Sequence, residues 1–313
     1  MTGFETIFTT VMGILMNNLA FEVGFDHYRL DLHLEADRFE EADWEQVQFG
    51  FQAAKQQDVS KLRCNKFESK VLSIRSRCLK SGLEVTITAK DLMAELEITN
   101  GLCPITEEPF TFAQQNLTDW SIDRVDNTRG YVPDNIAIVS VKANKAKGDS
   151  DLPHMIEQAV RKYNPNSTLT QKQWFLMGRF YYERLTLTET LNMTAILYHS
   201  PEILFKVIVM QLYYPNTKHS HIFSSILAPY CPKLLIERTI KLILKRYKTG
   251  KVAPRSNHGL NLVLNSPKAL DAIFILMMRV LEHYAEFDEI LTVCFFKLPP
   301  DVLDVEHVGL LKS

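Results

Sequence analysis

Apolar and polar residues alternate over residues 83–88, LEVTIT, which is the period-two pattern of a half-buried strand rich in branched side chains. The next segment, AKDLMAELEIT, has helical spacing and ends at Asn100-Gly101, a pair suited to closing a helix. CPITEEPFTF then has the proline and turn chemistry of a small hairpin. After it come a strand around WSIDRV, a polar loop DNTRGYVPD, a second strand NIAIVS and a helix through VKANKAKGD. In that order they predict a ββα unit.

Upstream, the first third of the chain is helical in pattern, and residues 1–21 suit an amphipathic core helix. A boundary is expected near QQDVS, with Asp58 capping the helix that follows. From about Thr168 the pattern becomes helical again. TQKQWFLMGRFYYERL, LTETLNMTAILYH, PEILFKVIVMQLYY, PKLLIERTIKLILKRYK and PKALDAIFILMMRVLEHYAEF are separated by Pro, Asn and Ser, with KYNPNST as the linker before them. The expected fold class is mainly α with a small α+β module. Residues 1–58 form an N-terminal helical segment, 59–165 the ββα module with its lead-in helix, and 166–313 an all-α domain.

Composition sharpens this picture in three places. The 313 residues carry 35 basic and 37 acidic side chains, a net charge of -2, so any phosphate-binding surface has to be local. One such concentration is the predicted helix after residue 58, where Lys66, Lys70, Arg75 and Arg77 are interleaved with Phe67, Val71, Leu72 and Ile74. It follows an acidic segment at 34–46, so the basic residues either contact phosphates or form a solvated face packed on that segment. Five cysteines lie far apart with no C-x-x-C pair, as in a reduced cytoplasmic protein without a structural zinc. Residues 1–21 lack a positive leader region, and Glu202, Lys206 and Arg279 interrupt the later apolar runs, so no membrane association is expected.

The ββα segment also carries a motif. Asp123-Arg124-Val125-Asp126, Gly130-Tyr131, Asn135 and Asn144-Lys145-Ala146-Lys147 resemble the "DRID, KGY, N, aN, K" signature of HNH-type proteins of phages and mobile elements, a ββα-metal or His-Me-finger family. GLCPITEEPF resembles the loop that often introduces that signature, and the likeness covers residues 83–163. The resemblance implies a metal-dependent DNA endonuclease, in phage biology or anti-phage defence. Asp123 and Asn144 would hold a hard divalent ion, Mg2+ or Mn2+, at a scissile phosphate. Asn135 would brace the loop, while Arg124 and Lys147 would reach the phosphate, Lys147 lying at i+3 from Asn144. Arg129, Lys142 and Lys145 join the four basic residues of the lead-in helix as candidate nucleic-acid contacts.

Arg124 departs from the active HNH pattern, in which a histidine follows the metal-binding aspartate and accepts a proton from water. Arginine stays charged and cannot. Asp126 and His154 are the other candidates for that proton, Asp126 only if burial raises its pKa. The resembling family commonly carries this same arginine. A second function therefore stands beside hydrolysis: an inactive HNH-fold scaffold for nucleic-acid binding or protein assembly.

In the last third, KLLIERTIKLILKRYKTGKVAPR predicts a helix whose basic residues crowd one exposed face. It offers a surface for DNA or for an acidic protein. A protein partner or a second copy of the chain is expected through the helical domain. Among the paired tyrosines there, one ring of each pair is expected in the core and one at the rim. The histidines of this half have no metal-binding spacing. FFKLPPDVLDVEHVGLLKS is expected as a terminal extension with a short helix.

Overall fold

The structure, a computed structural model, describes residues 19–161, 166–185, 191–213, 217–250, 266–300 and 303, with the backbone alone over 244–250. The expectations for residues 1–18, for most of the linker and for most of the terminal extension lie outside the described residues. The chain is mainly helical with one small two-stranded antiparallel sheet. It divides into two compact units, residues 1–103 with 107–144 and residues 145–313 with 104–106.

In the first unit, α1 (Leu19–Arg29) and α2 (Glu41–Gln56) touch backbone to backbone. Two glycines make that approach feasible. A Cβ on Gly24 would lie 1.8 Å from the Val47 carbonyl oxygen, and one on Gly50 would lie 2.0 Å from that of Phe21. The helix α3 (Lys66–Ser81) starts at Asn65, whose side chain accepts from the N–H groups of Phe67 and Glu68, and ends at Gly82 in the left-handed region. Asp58, expected to be that cap, instead stands two residues beyond α2 with a φ of 49°. Asn65 takes the role because it immediately precedes the periodic run.

Arg75 of α3 turns inward. Its Nη1 donates to the buried Asp26 of α1 at 2.6 Å, and its Nη2 lies 3.3 Å from Glu22. Arg29 joins Asp26 at 2.9 Å and Glu68 at 3.0 Å, so two arginines neutralise one buried carboxylate. Among the described residues, Lys80, 3.3 Å from Glu40, makes the ion pair between α3 and the acidic segment. The principal partners of α3 are the acids of α1.

Residues 83–88 keep their alternation, with Val85 and Ile87 buried and Glu84, Thr86 and Thr88 exposed. They do not form a ladder. Val85 makes a single parallel bridge to Tyr131, whose N–H donates to the Glu84 carbonyl and whose carbonyl accepts from the N–H groups of Thr86 and Ile87. Helix α4 (Ala89–Ile98) follows, opened by a Thr88–Asp91 capping box and closed by Asn100 and Gly101, both at positive φ. The predicted hairpin at 103–112 is reduced to an isolated Leu102–Pro109 bridge, with the Cys103 N–H donating to the Glu108 carbonyl.

β1 (Trp120–Arg124) and β2 (Ile136–Ser140) pair antiparallel in the register Trp120–Ser140 to Arg124–Ile136. Helix α5 (Val141–Lys147) follows β2 directly. The ββα order read from the sequence is present.

The second unit holds α6 (Leu152–Val160), α7 (Gln171–Tyr182), α8 (Met193–Tyr198), α9 (Pro201–Tyr213), α10 (Lys218–Leu227), α11 (Lys233–Gly250), α12 (Pro267–Glu282) and α13 (Tyr284–Phe296). Every residue of α9 from Ile203 to Leu212 is buried, so it is the central helix around which α8 and α10 to α13 pack. Tyr181 is fully buried, whereas Tyr182 is half-buried and stacks on Phe296 at 4.4 Å, one ring in the core and one at the rim. The last predicted helix is two, broken at His283. No described helix is long and apolar enough to cross a membrane.

Candidate functional site

The order β1, loop, β2, α5 determines where each motif residue stands. Along β1 side chains alternate between faces, so Ser121 and Asp123 share one side. Asn144, in the second turn of α5, donates from Nδ2 to the Ser121 Oγ at 2.7 Å. The amide is thus tied to the strand face that carries Asp123. Asp123 is buried, 7% exposed, and opposite Ala137 in the ladder.

The start of α5 is fixed by its neighbours. Ser140 Oγ accepts from the Ala143 N–H, and the N–H groups of Val141 and Lys142 donate to the carbonyls of Asp119 and Leu117. The thiol of Cys103 lies 3.4 Å from Ser140 Oγ and its sulfur accepts from the Ser140 N–H. The free amides of this helix end are therefore engaged by protein groups.

Three side chains hold the loop between the strands. Asn135, 1% exposed, accepts from the Asp126 N–H at 2.8 Å and donates from Nδ2 to the carbonyls of Asp126 at 3.0 Å and Gly130 at 2.9 Å. Arg124 donates from Nη1 to the carbonyls of Asn127 at 2.8 Å and Arg129 at 3.0 Å. Asp126 closes the turn by accepting from the N–H and Oγ1 of Thr128. Gly130 is needed where the loop passes residue 84, since a Cβ there would meet the Glu84 carbonyl oxygen at 2.3 Å.

These contacts revise several expected roles. Arg124, expected to reach a phosphate, uses its Nη1 to hold the loop. The hydrogen bonds from Thr128 keep the Asp126 carboxyl below its ordinary range, the opposite of what a proton acceptor near neutral pH requires. Lys147, in place of an exposed position one turn beyond Asn144, is 2% exposed with its ammonium 5.0 Å from the Tyr181 ring centre. His154 is exposed at the start of α6, near Gln158 and edge-on to Trp174.

The predicted nucleic-acid contacts separate in the same way. Arg75 is sequestered by Asp26 and Glu22. Lys70 is half-buried, donates to the Trp120 carbonyl at 3.3 Å, and has its pKa lowered by burial. Lys66 is exposed with its ammonium 3.5 Å from the Phe112 ring centre. Arg77, also exposed, donates to the Tyr131 hydroxyl at 2.9 Å. Arg129 pairs with Asp134 at 2.8 Å on the surface, Lys142 is half-buried and Lys145 is exposed. On α11, Lys233, Arg238 and Lys241 are exposed as predicted, and the side chains of its later basic residues lie outside the described residues.

Ser121 was not singled out from the sequence, and Tyr131 was named there only as part of the motif, without a role. The period-two spacing of Ser121 from Asp123 is a signal that was available. Tyr131, with the Arg77 and Arg124 guanidinium carbons each 5.7 Å from its ring centre, gave none beyond its place in the Gly-Tyr pair. Among the described residues no group of three or more His, Cys, Asp or Glu gathers to hold a metal ion, and a site of one Asp and one Asn is not of that kind. No protein-family model, no curated protein and no solved structure matches the chain.

Proposed function

We propose that the β1–β2–α5 segment is an HNH-like module that hydrolyses DNA phosphodiester bonds with a divalent metal ion. The observation that carries this reading is the 2.7 Å hydrogen bond from Asn144 to Ser121, which ties a helix amide to the strand face of a buried aspartate. The residues present fit the ion that the motif implies. A carboxylate and an amide oxygen are hard donors, and Mg2+ or Mn2+ is commonly held by one or two such groups with water and substrate phosphate completing its shell. Asp123 and Asn144 would hold it. When bound, it would supply Lewis-acid stabilisation of charge on the phosphoryl and departing oxygens.

The remaining residues act on position. Ser121 orients Asn144 through the bond that uses its Nδ2, leaving the amide oxygen as the donor of ligand type. Asn135 and Arg124 fix the loop that follows Asp123. Exposed Lys66 and Arg77 supply positive charge to a DNA backbone.

No group of the hairpin is suited to accept the proton from water near neutral pH, because Arg124 is charged and Asp126 is held acidic. Hydrolysis by this module therefore relies on hydroxide. Its rate should continue to rise with pH to about 9, without the plateau that a histidine base gives near its ordinary pKa of about 6.5. The same feature favours a second reading, a DNA-binding module that does not cleave.

Supercoiled plasmid incubated with Mg2+ or Mn2+ separates the two. Nicking lost in both Asp123→Ala and Asn144→Ala, and weakened in Ser121→Ala, supports hydrolysis. Retained DNA binding without nicking under either ion supports the second reading. Nicking that survives Asp123→Ala refutes the assignment of the site.

A further inference from the structure

On the described surface of the second unit, the outer side of α12 exposes three large apolar side chains among its charged ones. On α12, Ala269, Ala272, Ile273, Leu276, Met277 and Val280 face the core. The opposite side exposes Phe274 to 60%, Ile275 to 45% and Met278 to 40%. Burying such side chains is worth about 1.5–3 kcal/mol each, so a helix that turns three of them to water gains by covering them. The apolar surface continues past Met278. Leu281 lines a pocket of about 330 Å³ together with Tyr198 and Tyr284, and both tyrosines are largely exposed.

The charges interleaved with the apolar side chains on the same face of α12 say what covers it. The exposed ionic residues of α12 are Lys268, Asp271, Arg279 and Glu282. Lys268 and Glu282 lie seven residues before and after Ile275, and Asp271 and Arg279 lie four before and after it. Each pair joins opposite signs. When two copies of the helix meet antiparallel about a two-fold axis at Ile275, residues equally far from 275 face each other. Lys268 then opposes the second copy's Glu282, Asp271 opposes its Arg279, and both pairs recur by symmetry. Ile275 meets itself between them, flanked by Phe274 and Met278.

A parallel arrangement in register does the reverse, setting Lys268 against Lys268 and Asp271 against Asp271. Exposed ion pairs add little affinity, but like charges placed opposite each other select against a register. The pattern thus specifies one orientation. Within one chain Arg279 and Glu282 form a 2.7 Å pair, each side chain about half exposed, so both remain within reach of solvent and of a facing helix.

We infer that the outer face of α12 is a homodimer interface in which two copies of this chain pair antiparallel, centred on Ile275. Three apolar side chains and the neighbouring pocket rim make a contact smaller than the roughly 800 Å² per partner of a standard interface. The dimer is therefore a weak one, with a dissociation constant of about 1–100 µM.

Sedimentation of the full chain across that range, with circular dichroism to verify folding, tests it. The parent chain shifts from monomer to dimer with concentration, and Ile275→Asp, which places two carboxylates on the axis, weakens the dimer at least tenfold. Asp271→Arg alone and Arg279→Asp alone each weaken it by roughly tenfold. The double variant returns to within about threefold of the parent, because every facing pair is again of opposite sign. All three positions are solvent-exposed, so these changes leave the fold intact. A parent chain that stays monomeric to about 100 µM refutes the second copy as occupant, and the face then belongs to a different partner. A dimer indifferent to Ile275→Asp, or a double variant weaker than both singles, refutes the antiparallel pairing.

Discussion

Replacing Asn135 with alanine removes three hydrogen bonds from a single buried side chain and leaves the Asp126 N–H, the Asp126 carbonyl and the Gly130 carbonyl without it. An unsatisfied buried backbone group costs about 1–3 kcal/mol, and a group that water reaches costs much less. Gly130 is buried and Asp126 is half-buried, although each carbonyl keeps a second donor, the Arg129 N–H at 3.2 Å for Asp126 and the Val132 N–H at 3.1 Å for Gly130. The Asp126 N–H loses its acceptor while each carbonyl loses one of two donors, so the expected cost is about 2–3 kcal/mol, toward the larger end of single-substitution effects. Asn135→Asp is the sharper variant. It keeps the acceptor for the Asp126 N–H but turns an oxygen toward two carbonyl oxygens.

Only protonation gives Asn135→Asp a donor again, so the new carboxyl is held above the ordinary aspartate value of about 3.9. A raised carboxyl pKa costs stability as pH rises through the window between the unfolded and folded values, so this variant is more destabilised at pH 8 than at pH 5. Hydrogen exchange over residues 124–136 reads the local opening directly, which matters in a chain of two compact units where a single unfolding midpoint is ill-defined. An Asn135→Ala loop that opens within about 1 kcal/mol of the parent, or an Asn135→Asp variant indifferent to pH, refutes the view that this side chain holds the loop.

Asp26→Ala leaves Arg29 and Arg75 side by side in a largely buried position, and a loss of about 3 kcal/mol is expected in urea unfolding of the first unit. Asp126 has a folded pKa below its unfolded one. The stability it contributes is complete above the ordinary carboxylate value and is lost as pH falls through the folded one, and Thr128→Val should flatten that dependence in a pH series of hydrogen exchange. Burial pushes the Cys294 thiol up to about 12, so it should resist thiol reagents at pH 8 in the native chain and react on denaturation, read by mass spectrometry.

Elements whose signals are local were legible in the sequence. The two strands, their polar loop and the helix after them follow one another within residues 120–147, and each is specified by its own alternation, turn residues or spacing. The helix ending at Asn100-Gly101 was legible for the same reason. Residues 83–88 show the opposite case. Their alternation predicts which side chains are buried, but the extended partner Tyr131 lies 46 residues further on from Val85, and no pattern within the segment says how little of it will pair.

Other misses have similar causes. α10 buries only Ser220, Phe223 and Leu227, too sparse a stripe among serines and histidines to register as a helix. The break at His283 carries neither proline nor glycine. At the site, Asp123, Asn135 and Asn144 could be named from the motif, whereas the contact from Asn144 to Ser121 and the burial of Lys147 over Tyr181 depend on other elements. Spacing within one helix places Lys147 on a face but is silent about what covers that face.

The arginine after Asp123 is best understood from the loop it serves. Between β1 and β2 the chain runs through Asp126 to Gly130 without a ladder, so its carbonyls need side-chain or turn donors. Arg124 reaches two of them, Asn127 and Arg129, from one nitrogen, and Asn135 reaches two more, Asp126 and Gly130, from the other end of the loop. An imidazole at position 124 has at most two ring donors on a shorter side chain and would leave the Asn127 and Arg129 carbonyls to water. Arginine here contributes to the loop's conformation what a histidine would contribute to proton transfer, and one side chain cannot do both. The physical consequence is a fixed loop after Asp123 that holds no imidazole, so the pH profile expected of the proposed nicking differs from that of a site built around a histidine.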